Sequence, residues 1–504
     1  MSTATDGPPL HPEGAWPSPA DPAAGVPLDG TGLSAGDVVR LADGAAVPVL
    51  PPKALARVRR SWRAAQRLAA AGLLYGRGTG VGAHRSVVVG AGDEAGHGLR
   101  LLRSHAGGAG APLPARQVRA MLAVRANQLL AGGSGIHPDL VEGLVRALRS
   151  GRHPRVPEYG GLGTGDLTAL AETGLALIGE RPWLPAGPGP APAPVPLRPG
   201  DALALLSSNA LVLGQAALAW HELDTLLRAG HAVAALSLAA VSGSTEAYAA
   251  PVHATRPYPG AARAAAEVRR LLGLPEGPYG GGARRIQDPY GFRAFPQVHG
   301  CALDAAQTLR RIVETEINCP SENPLVAPDG SAAFHHGGFY AAPLALALDG
   351  LHLAVLQTAQ LSAARLSALG RPDLTGLPAF LATGPPGSSG TMILEYPAAA
   401  ALAELRACAT PASAGHAVLS HGLEEAASFA SQAARQSLRA VDAYRTVLAC
   451  ELVTAVRALR LHPAPPAVRA FTTAAEALPA GTDDRPLTAD LARAGELLTA
   501  LAEL

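Results

Sequence analysis

The chain has 504 residues, and a hydrophobic content of 48% allows it to bury a large core. Its 41 basic and 40 acidic residues give a formal net charge of +1 without any basic run, so nucleic acid is not an expected partner. A membrane span is not expected, because no run of about 18 apolar residues is free of charge and proline. A signal peptide is not expected either, because no basic segment precedes an apolar one at the N-terminus.

The cysteines are few and scattered along the chain. The four are Cys301, Cys319, Cys408 and Cys450, and their spacing does not match that of a metal site. Buried free thiols in a reducing cytoplasm are the default interpretation, so a cytoplasmic location is expected and no metal is expected.

The N-terminal part of the chain is predicted to form a leader and a lobe. Residues 1–30 are rich in Pro, Gly and Ala without any period, which predicts a disordered leader. Residues 31–200 form the lobe, with strand-like pieces between Leu33 and Val49. Apolar periodicity and proline positions then predict the helices Pro51–Ala71, Leu99–Ala106, Val118–Leu130 and Pro138–Arg149. A connector at 181–200 contains eight prolines and is expected to be extended.

Two glycine-rich loops interrupt this lobe. The first runs from Tyr75 to Gly82 with a glycine at every second position, which by itself indicates only a tight turn. The second contains Gly160, Gly161, Gly163 and Gly165 and is followed by Asp166. Leu167, Leu170 and Leu175 then fall on one helix face, so Asp166 is predicted to be the N-cap or a first-turn acid of that helix.

The rest of the chain reads as helices. Residues 201–462 are predicted to form a central bundle, and 463–504 a helical tail. The bundle helices are predicted at 201–227, 231–241, 298–316, 344–368, 392–406 and 432–461.

Several short motifs stand around the second glycine loop in a fixed order. They are Tyr75–Gly82, Arg103–Gly110, Val124–Asn127 and Gln287–Arg293. Together with the loop they resemble the aromatic amino acid ammonia-lyase family, whose bacterial type is histidine ammonia-lyase, over roughly 33–504. The resemblance implies an all-α fold of the aromatic amino acid lyase or fumarase type. It has a long central helical bundle and a smaller N-terminal α/β lobe. It also implies a homotetramer whose active sites are built from several subunits.

The same resemblance implies the site residues. The implied catalytic residues are Tyr75, Tyr290, Arg293 and Glu424. The implied substrate-binding residues are His105, Ser207, Asn209, Gln287 and Phe339. Tyr75 stands where the family has its base, and Arg293 where a guanidinium clamps a carboxylate bidentately. Ser207 and Asn209 stand where the family has an Asn and a Thr.

The sequence departs from the family at the cofactor loop. The family has Ala-Ser-Gly there, which cyclises into a methylidene-imidazolone electrophile (MIO). This chain has Gly163-Thr164-Gly165, with one residue fewer after Glu158. The extra methyl of Thr164 would hinder the electrophile, and cyclisation needs a compressed backbone. We therefore expect MIO to be absent, with no other cofactor.

Three hypotheses follow. The first is an enzyme without MIO that uses acid–base chemistry to eliminate, add or isomerise on a small molecule with a carboxylate or carbonyl, in specialised metabolism. The second is an ammonia-lyase with a variant cofactor made from Gly163-Thr164-Gly165. The third is a non-catalytic scaffold or the silent partner of an active paralogue. Retention of the tyrosines and Arg293 favours the first over the third. The replaced Asn, Gln and Glu at 207, 423 and 342 count against the second.

Overall fold

The computed structural model describes residues 25–72, 74–185, 190–274 and 285–504. Most of the predicted leader and positions 186–189 of the predicted connector lie outside these residues. The chain divides into two compact units. The first runs up to Gly161 and adds Gly165–Gly214 and Glu316–Phe339. The second comprises Leu162–Thr164, Gln215–Thr315 and Tyr340–Leu504.

The first unit is helical with four short strand pairs. Its α-helices are Ala35–Ala42, Pro52–Ala71, Glu94–His105, Ala115–Leu130, Pro138–Ser150, Leu167–Leu177 and Asp201–Leu206. One strand pair is parallel, Val26–Pro27 with Pro48–Val49. The antiparallel pairs are Ala109–Pro112 with Pro157–Tyr159, His153–Pro154 with Trp183–Leu184, and Leu325–Val326 with Ala333–Phe334.

The segment between Leu33 and Val49 contains the helix Ala35–Ala42, so the prediction of strand-like pieces is wrong for most of it. Ser34 and Asp37 form a capping box at the start of the helix Ala35–Ala42, each side chain bonding the other residue's backbone N–H. The capping box gives hydrogen-bond partners to N–H groups that the first turn of a helix otherwise leaves without them. This stabilisation of the helix outweighs the strand preference of the residues in the segment. Only Pro48–Val49 forms a strand there.

The second unit is built from long helices. The helix Ala210–Ala240 starts in the first unit and enters the second at Gln215. The other helices of at least eight residues are Pro259–Leu271, Phe295–Glu316, Ala342–Leu369, Glu395–Cys408, Ala430–Leu461, Arg469–Ala477 and Thr488–Leu501. The shorter helices are Ala250–Ala254, Tyr290–Arg293 and Pro372–Thr375. The predicted all-α class is confirmed.

The predicted helix 201–227 is broken, and its second half is continuous with the helix predicted at 231–241. The helix Asp201–Leu206 ends before Ser207, and the next helix begins at Ala210. Ser208 Oγ donates to Gln128 Oε1 at 2.6 Å, outside either helix. Serine and asparagine side chains form hydrogen bonds outside a helix as readily as inside it. Such tertiary hydrogen bonds stabilise the non-helical segment between the two helices.

A buried ion pair ties the second unit together. Arg365 and Glu451 are 1% and 0% exposed and form a bidentate pair at 2.6 and 2.8 Å. The hydroxyls of Ser237 and Ser362 each donate to the same carboxylate at 2.6 Å. Removing one partner of so buried a pair typically costs about 3–5 kcal/mol, because the other charge is then left unpaired.

Arg365 also reaches the segment that carries two candidate catalytic residues. Its Nη1 donates to the carbonyl of Gly291 at 2.9 Å, inside the short helix Tyr290–Arg293. A Cβ atom on Gly291 would lie 3.1 Å from Arg365 Cγ, so the glycine permits this close approach. The ion pair therefore fixes the backbone that presents Tyr290 and Arg293.

Two helical stretches are long and apolar enough, by composition alone, to cross a membrane. The most apolar window of Asp201–Ala240 is 94% buried inside the protein, and that of Ala342–Leu369 is 56% buried. A core helix of a globular protein meets the same test. All four cysteines are free, with Cys408 and Cys450 buried and Cys301 exposed.

Candidate active site

The glycine loop takes a backbone conformation that only glycine adopts easily. Gly163 and Gly165 have φ of 79° and 118°, both in the left-handed range. A Cβ atom on Gly163 would lie 2.8 Å from the backbone nitrogen of Ala430 and still closer to Ser428 Oγ. An alanine, which opens the family's tripeptide, does not fit at position 163 in this conformation.

The carbonyl of Gly163 is held by two donors within the second unit. Ser428 Oγ donates to it at 2.9 Å, and the backbone N–H of Ala341 donates at 3.0 Å. The N–H of Phe429 donates to the preceding carbonyl, that of Leu162, at 2.7 Å. Sequence reasoning missed Ser428, because a single serine in a loop 265 positions away gives no local signal.

The amide of Gly165 has its partner in the first unit. Its N–H donates to Asn209 Oδ1 at 2.9 Å, and Asn209 Nδ2 donates to the carbonyl of Phe339. Asn209 is only 5% exposed. The structure therefore brings together three of the candidate residues, Gly165, Asn209 and Phe339. Phe339 takes part through its backbone.

Asp166 is the N-cap residue of the helix that follows it, as predicted, but its side chain bonds a different helix. The helix Leu167–Leu177 receives no side-chain bond from Asp166. Its Oδ2 instead accepts the N–H groups of Leu211 and Val212, at 2.8 and 3.0 Å. These N–H groups lie in the first turn of the helix Ala210–Ala240, where the helix dipole also favours a carboxylate.

Burial dominates the charge state of Asp166. The residue is 1% exposed, and burial raises its pKa to about 6, although the two backbone N–H donors act in the opposite direction. No described residue donates a hydrogen bond to its Oδ1. The proton is therefore held more tightly in the folded protein than in the unfolded chain.

A buried charge pair supports the segment that carries Asn209. Arg125 and Glu322 are 0% and 1% exposed, with Nη1 and Oε1 2.8 Å apart. Arg125 Nε donates to the carbonyl of Leu205 at 3.0 Å, at the end of the helix Asp201–Leu206. Arg125 of the Val124–Asn127 motif therefore has a structural role, because it bonds the C-terminal end of the helix that precedes Ser207.

Tyr75 lies in the first glycine loop and is partly buried. Its hydroxyl oxygen accepts the N–H of Gly82 at 2.8 Å, and its own N–H donates to His335 Nε2 at 3.3 Å. His105 ends its helix, and its Nδ1 lies 2.9 Å from the carbonyl of Leu101, a contact within that helix.

Tyr290 and Arg293 lie side by side in the second unit. The guanidinium of Arg293 is 4.1 Å from the centroid of the Tyr290 ring, a cation–π contact. Arg293 Nε donates to the carbonyl of Asp288 at 2.9 Å. Asp288 is buried and pairs with Arg285, so in the Gln-Asp-Pro-Tyr motif it is the acid that anchors the turn. Gln287 is exposed.

The remaining candidates are held by residues outside the candidate set. Glu424 is partly exposed, and its Oε1 accepts the hydroxyl of Ser420 at 3.3 Å. The carbonyl of Ser207 accepts the hydroxyl of Ser321 at 2.9 Å. Within the residues that the structure describes, no three His, Cys, Asp or Glu side chains lie together as a metal site would need.

The chain belongs to the aromatic amino acid lyase family, whose model matches residues 33–478. It is 37% identical over 496 residues to a histidine ammonia-lyase from Anaeromyxobacter dehalogenans, covering 94% of this chain and 98% of that protein.

Two solved structures share this fold over nearly the whole chain. A tyrosine aminomutase from Streptomyces globisporus has a TM-score of 0.88 at 27% identity, covering 95% of this chain and 97% of that one. An ergothioneine-degrading enzyme, ergothionase from Treponema denticola, has a TM-score of 0.86 at 27% identity, covering 95% of this chain and 99% of that one. The predicted family is confirmed.

The raised pKa of Asp166 gives a prediction about stability and pH. Because the folded-state pKa is about 6 rather than 3.8, this proton's stabilising contribution is complete below about pH 4 and is lost as pH rises through about 6. Asp166→Asn stays neutral and keeps an oxygen acceptor. We expect it to gain about 2–2.5 kcal/mol relative to the wild type between about pH 4 and pH 7.

Urea unfolding of both proteins at the two pH values measures this change. Asp442→Asn, at an exposed position, is the matched control and should leave the difference from the wild type constant. A difference between Asp166→Asn and the wild type that does not change with pH would contradict the prediction.

Proposed function

We propose that this family member is an enzyme that works by acid–base chemistry without MIO. Tyr75 is the base and Arg293 the anion clamp. The substrate is a small molecule with a carboxylate or carbonyl, met in specialised metabolism in the cytoplasm. One observation carries the proposal: the base and the clamp are kept, while Gly163 leaves no room for the alanine of the family's tripeptide. The residues present therefore do not fit the ordinary MIO precursor.

The surroundings of Tyr75 suit a phenol that gives up its proton. Its oxygen accepts the N–H of Gly82, and such a donor stabilises the negative charge that the oxygen acquires. A phenolate can then take a proton from a carbon next to a carbonyl group. That proton is acidic enough to be removed without a covalent electrophile.

The surroundings of Arg293 suit an anion. Its Nε is occupied by the Asp288 carbonyl, but no described residue accepts a hydrogen bond from its terminal nitrogens. Stacking on Tyr290 limits the freedom of the guanidinium. In the proposed reaction the C–H electron pair moves toward the carbonyl, and Arg293 balances the enolate charge. The pair then expels a leaving group or takes a proton at another carbon.

This mechanism predicts different effects for two variants. Tyr75→Phe should lower turnover by at least about a hundredfold, because it removes the base while losing one hydroxyl. Arg293→Met should instead weaken substrate binding by about 2–3 kcal/mol, because it removes a charge-assisted pair. No ammonia release from histidine, phenylalanine or tyrosine is expected for the wild type.

Deuterium uptake from D2O into a panel of small oxo acids, followed by mass spectrometry, measures the base directly. Tyr258→Phe and Arg311→Met, at exposed positions, are the matched controls. Wild-type exchange no faster than that of Tyr75→Phe across the panel would contradict the proposal and favour a non-catalytic scaffold.

A second candidate function has its own support. The Gly163 carbonyl receives two donors, and the Gly165 N–H is bonded to an amide oxygen. Attack of the Gly165 nitrogen on the Gly163 carbonyl carbon would place charge on that doubly bonded oxygen, as in an oxyanion hole. Loss of that oxygen as water, and of the Thr164 hydroxyl with its Cα hydrogen as a second water, would give an ethylidene analogue of MIO. The protein would then be an ammonia-lyase with a variant cofactor.

The intact mass separates the two candidates. We expect the encoded mass, apart from ordinary N-terminal processing, because the loop is one residue short and Thr164 carries an extra methyl. Mass spectrometry of the purified protein, followed by peptide mapping, measures this. A deficit of two water molecules in the peptide containing Thr164 would overturn the first proposal. Thr164→Ala, which has no hydroxyl to lose, is the control.

We also propose a homotetramer, as in the family. The helix Ala342–Leu369 is apolar, yet Leu346 is 63% and Leu353 is 45% exposed on it. Tyr396 on the helix Glu395–Cys408 is 68% exposed. Large apolar side chains exposed along packed helices indicate a surface that another protein covers.

Light scattering of the purified protein at micromolar concentration tests the assembly. We expect the mass of four chains, because burial of these apolar side chains stabilises the assembly. Leu346→Glu, placed on the exposed face, should shift the mass toward smaller species. A stable monomer for the wild type would contradict this prediction.

A further inference from the structure

A cavity of about 500 Å³ lies within the first unit, away from the candidate catalytic residues. One wall is the helix Pro52–Ala71, and another is formed by Pro320 and residues 325–330, with 131–133 completing the lining. This volume is in the range of small-molecule sites. None of the candidate catalytic residues lines it, so it is separate from the proposed chemistry.

The helix wall of this cavity is strongly basic. The helix carries six cationic residues and no acidic one, Lys53, Arg57, Arg59, Arg60, Arg63 and Arg67. Arg57 is used within the fold, because its guanidinium donates to the carbonyls of Leu130 and Asp29. Arg60, Arg63 and Arg67 also line the cavity and are exposed. Their spacing of three and four residues places them on one helix face.

The acid in the cavity lining forms no ion pair with these arginines among the described residues. Asp329 Oδ1 accepts the N–H and the hydroxyl of Ser331, at 3.0 and 2.7 Å, and these bonds lower its pKa. No ion pair joins Arg60, Arg63 or Arg67 to a described residue. Like charges at this spacing destabilise a helix, and a bound anion would remove that repulsion.

The floor of the cavity is apolar. Ala64 and Val326 are 2% and 3% exposed and belong to one small core cluster, and Leu325 lines the cavity beside them. A Cβ atom on Gly133 would meet the Leu325 side chain, so the glycine lets the chain pass close behind this floor. Charge on one side and apolar surface on the other fit a molecule that has both.

We propose that this cavity binds a small organic anion with at least two negative charges and an apolar or planar body. Three guanidinium groups can pair phosphate or carboxylate oxygens bidentately, while the body rests on Ala64 and Leu325. The site is separate from the proposed catalysis, so it stands whether or not that proposal holds.

Calorimetric titration of the full-length protein tests the site with three probes: ATP, citrate and inorganic pyrophosphate. ATP and citrate distinguish phosphate from carboxylate anions, and pyrophosphate carries charge without a body. We expect saturable one-to-one binding of ATP or citrate, tighter than that of pyrophosphate. Arg63→Gln and Arg67→Gln should each weaken it about tenfold to a hundredfold.

Arg59→Gln is the matched control, because Arg59 lies on the same helix outside the cavity lining and pairs only distantly with Glu142, at 4.0 Å. It should change binding by less than about twofold, and circular dichroism should show that all variants are folded. Absence of saturable binding for all three probes would overturn the proposal. So would equal losses in all three variants, or an RNA oligonucleotide that binds more tightly than ATP.

Discussion

The carboxylate of Asp166 holds the end of the glycine loop to the start of the long helix Ala210–Ala240. Three bonds make the joint: the two N–H groups of Leu211 and Val212 on Oδ2, and the Asp166 N–H on the Ser208 carbonyl at 2.7 Å. Hydrogen bonds to a charged group are worth about 1.5–3 kcal/mol each. Burial outweighs the effect of these donors on the charge state, which is why the pKa of the acid rises even though both donors favour the charged form.

These hydrogen bonds of Asp166 also fix the positions of the neighbouring residues Gly165 and Asn209. Gly165 immediately precedes Asp166, and Asn209 immediately precedes the helix that the Asp166 side chain bonds. Holding Asp166 against the start of that helix therefore brings Gly165 and Asn209 into contact, and the Gly165 N–H donates to Asn209 Oδ1. In the second unit the Arg365–Glu451 pair does similar work, because it holds the Gly291 carbonyl between Tyr290 and Arg293. Buried charges that take no part in the proposed chemistry thus position the residues that do.

The sequence predicted the long helices well, because apolar periodicity and proline at the first turn are local signals. The helix Pro138–Ser150 begins where its proline indicated and ends within one residue of the prediction. Contacts between distant residues had no such signal. Asp166 was correctly placed at an N-cap, but its side-chain partners were missed because they lie 45 and 46 positions away. Ser428 and the role of Arg125 depend on the same kind of long-range contact.

The resemblance misled in one respect. Ser207 replaces the family's Asn, and from sequence alone this counted as loss of an amide from the cofactor shell. The structure places an amide on the loop after all, from Asn209, because the chain leaves helical conformation between Leu206 and Ala210. Counting substitutions by position therefore underestimates what the loop retains.

The changed tripeptide cannot be understood as two independent substitutions. Gly163 has a left-handed backbone, and a Cβ atom there would meet Ser428 and Ala430. Restoring Ala and Ser at 163 and 164 would therefore force the loop away from the two donors that hold the Gly163 carbonyl. The shorter loop, the glycine and Ser428 form one packed arrangement. The chemistry of this chain must therefore be argued from that arrangement.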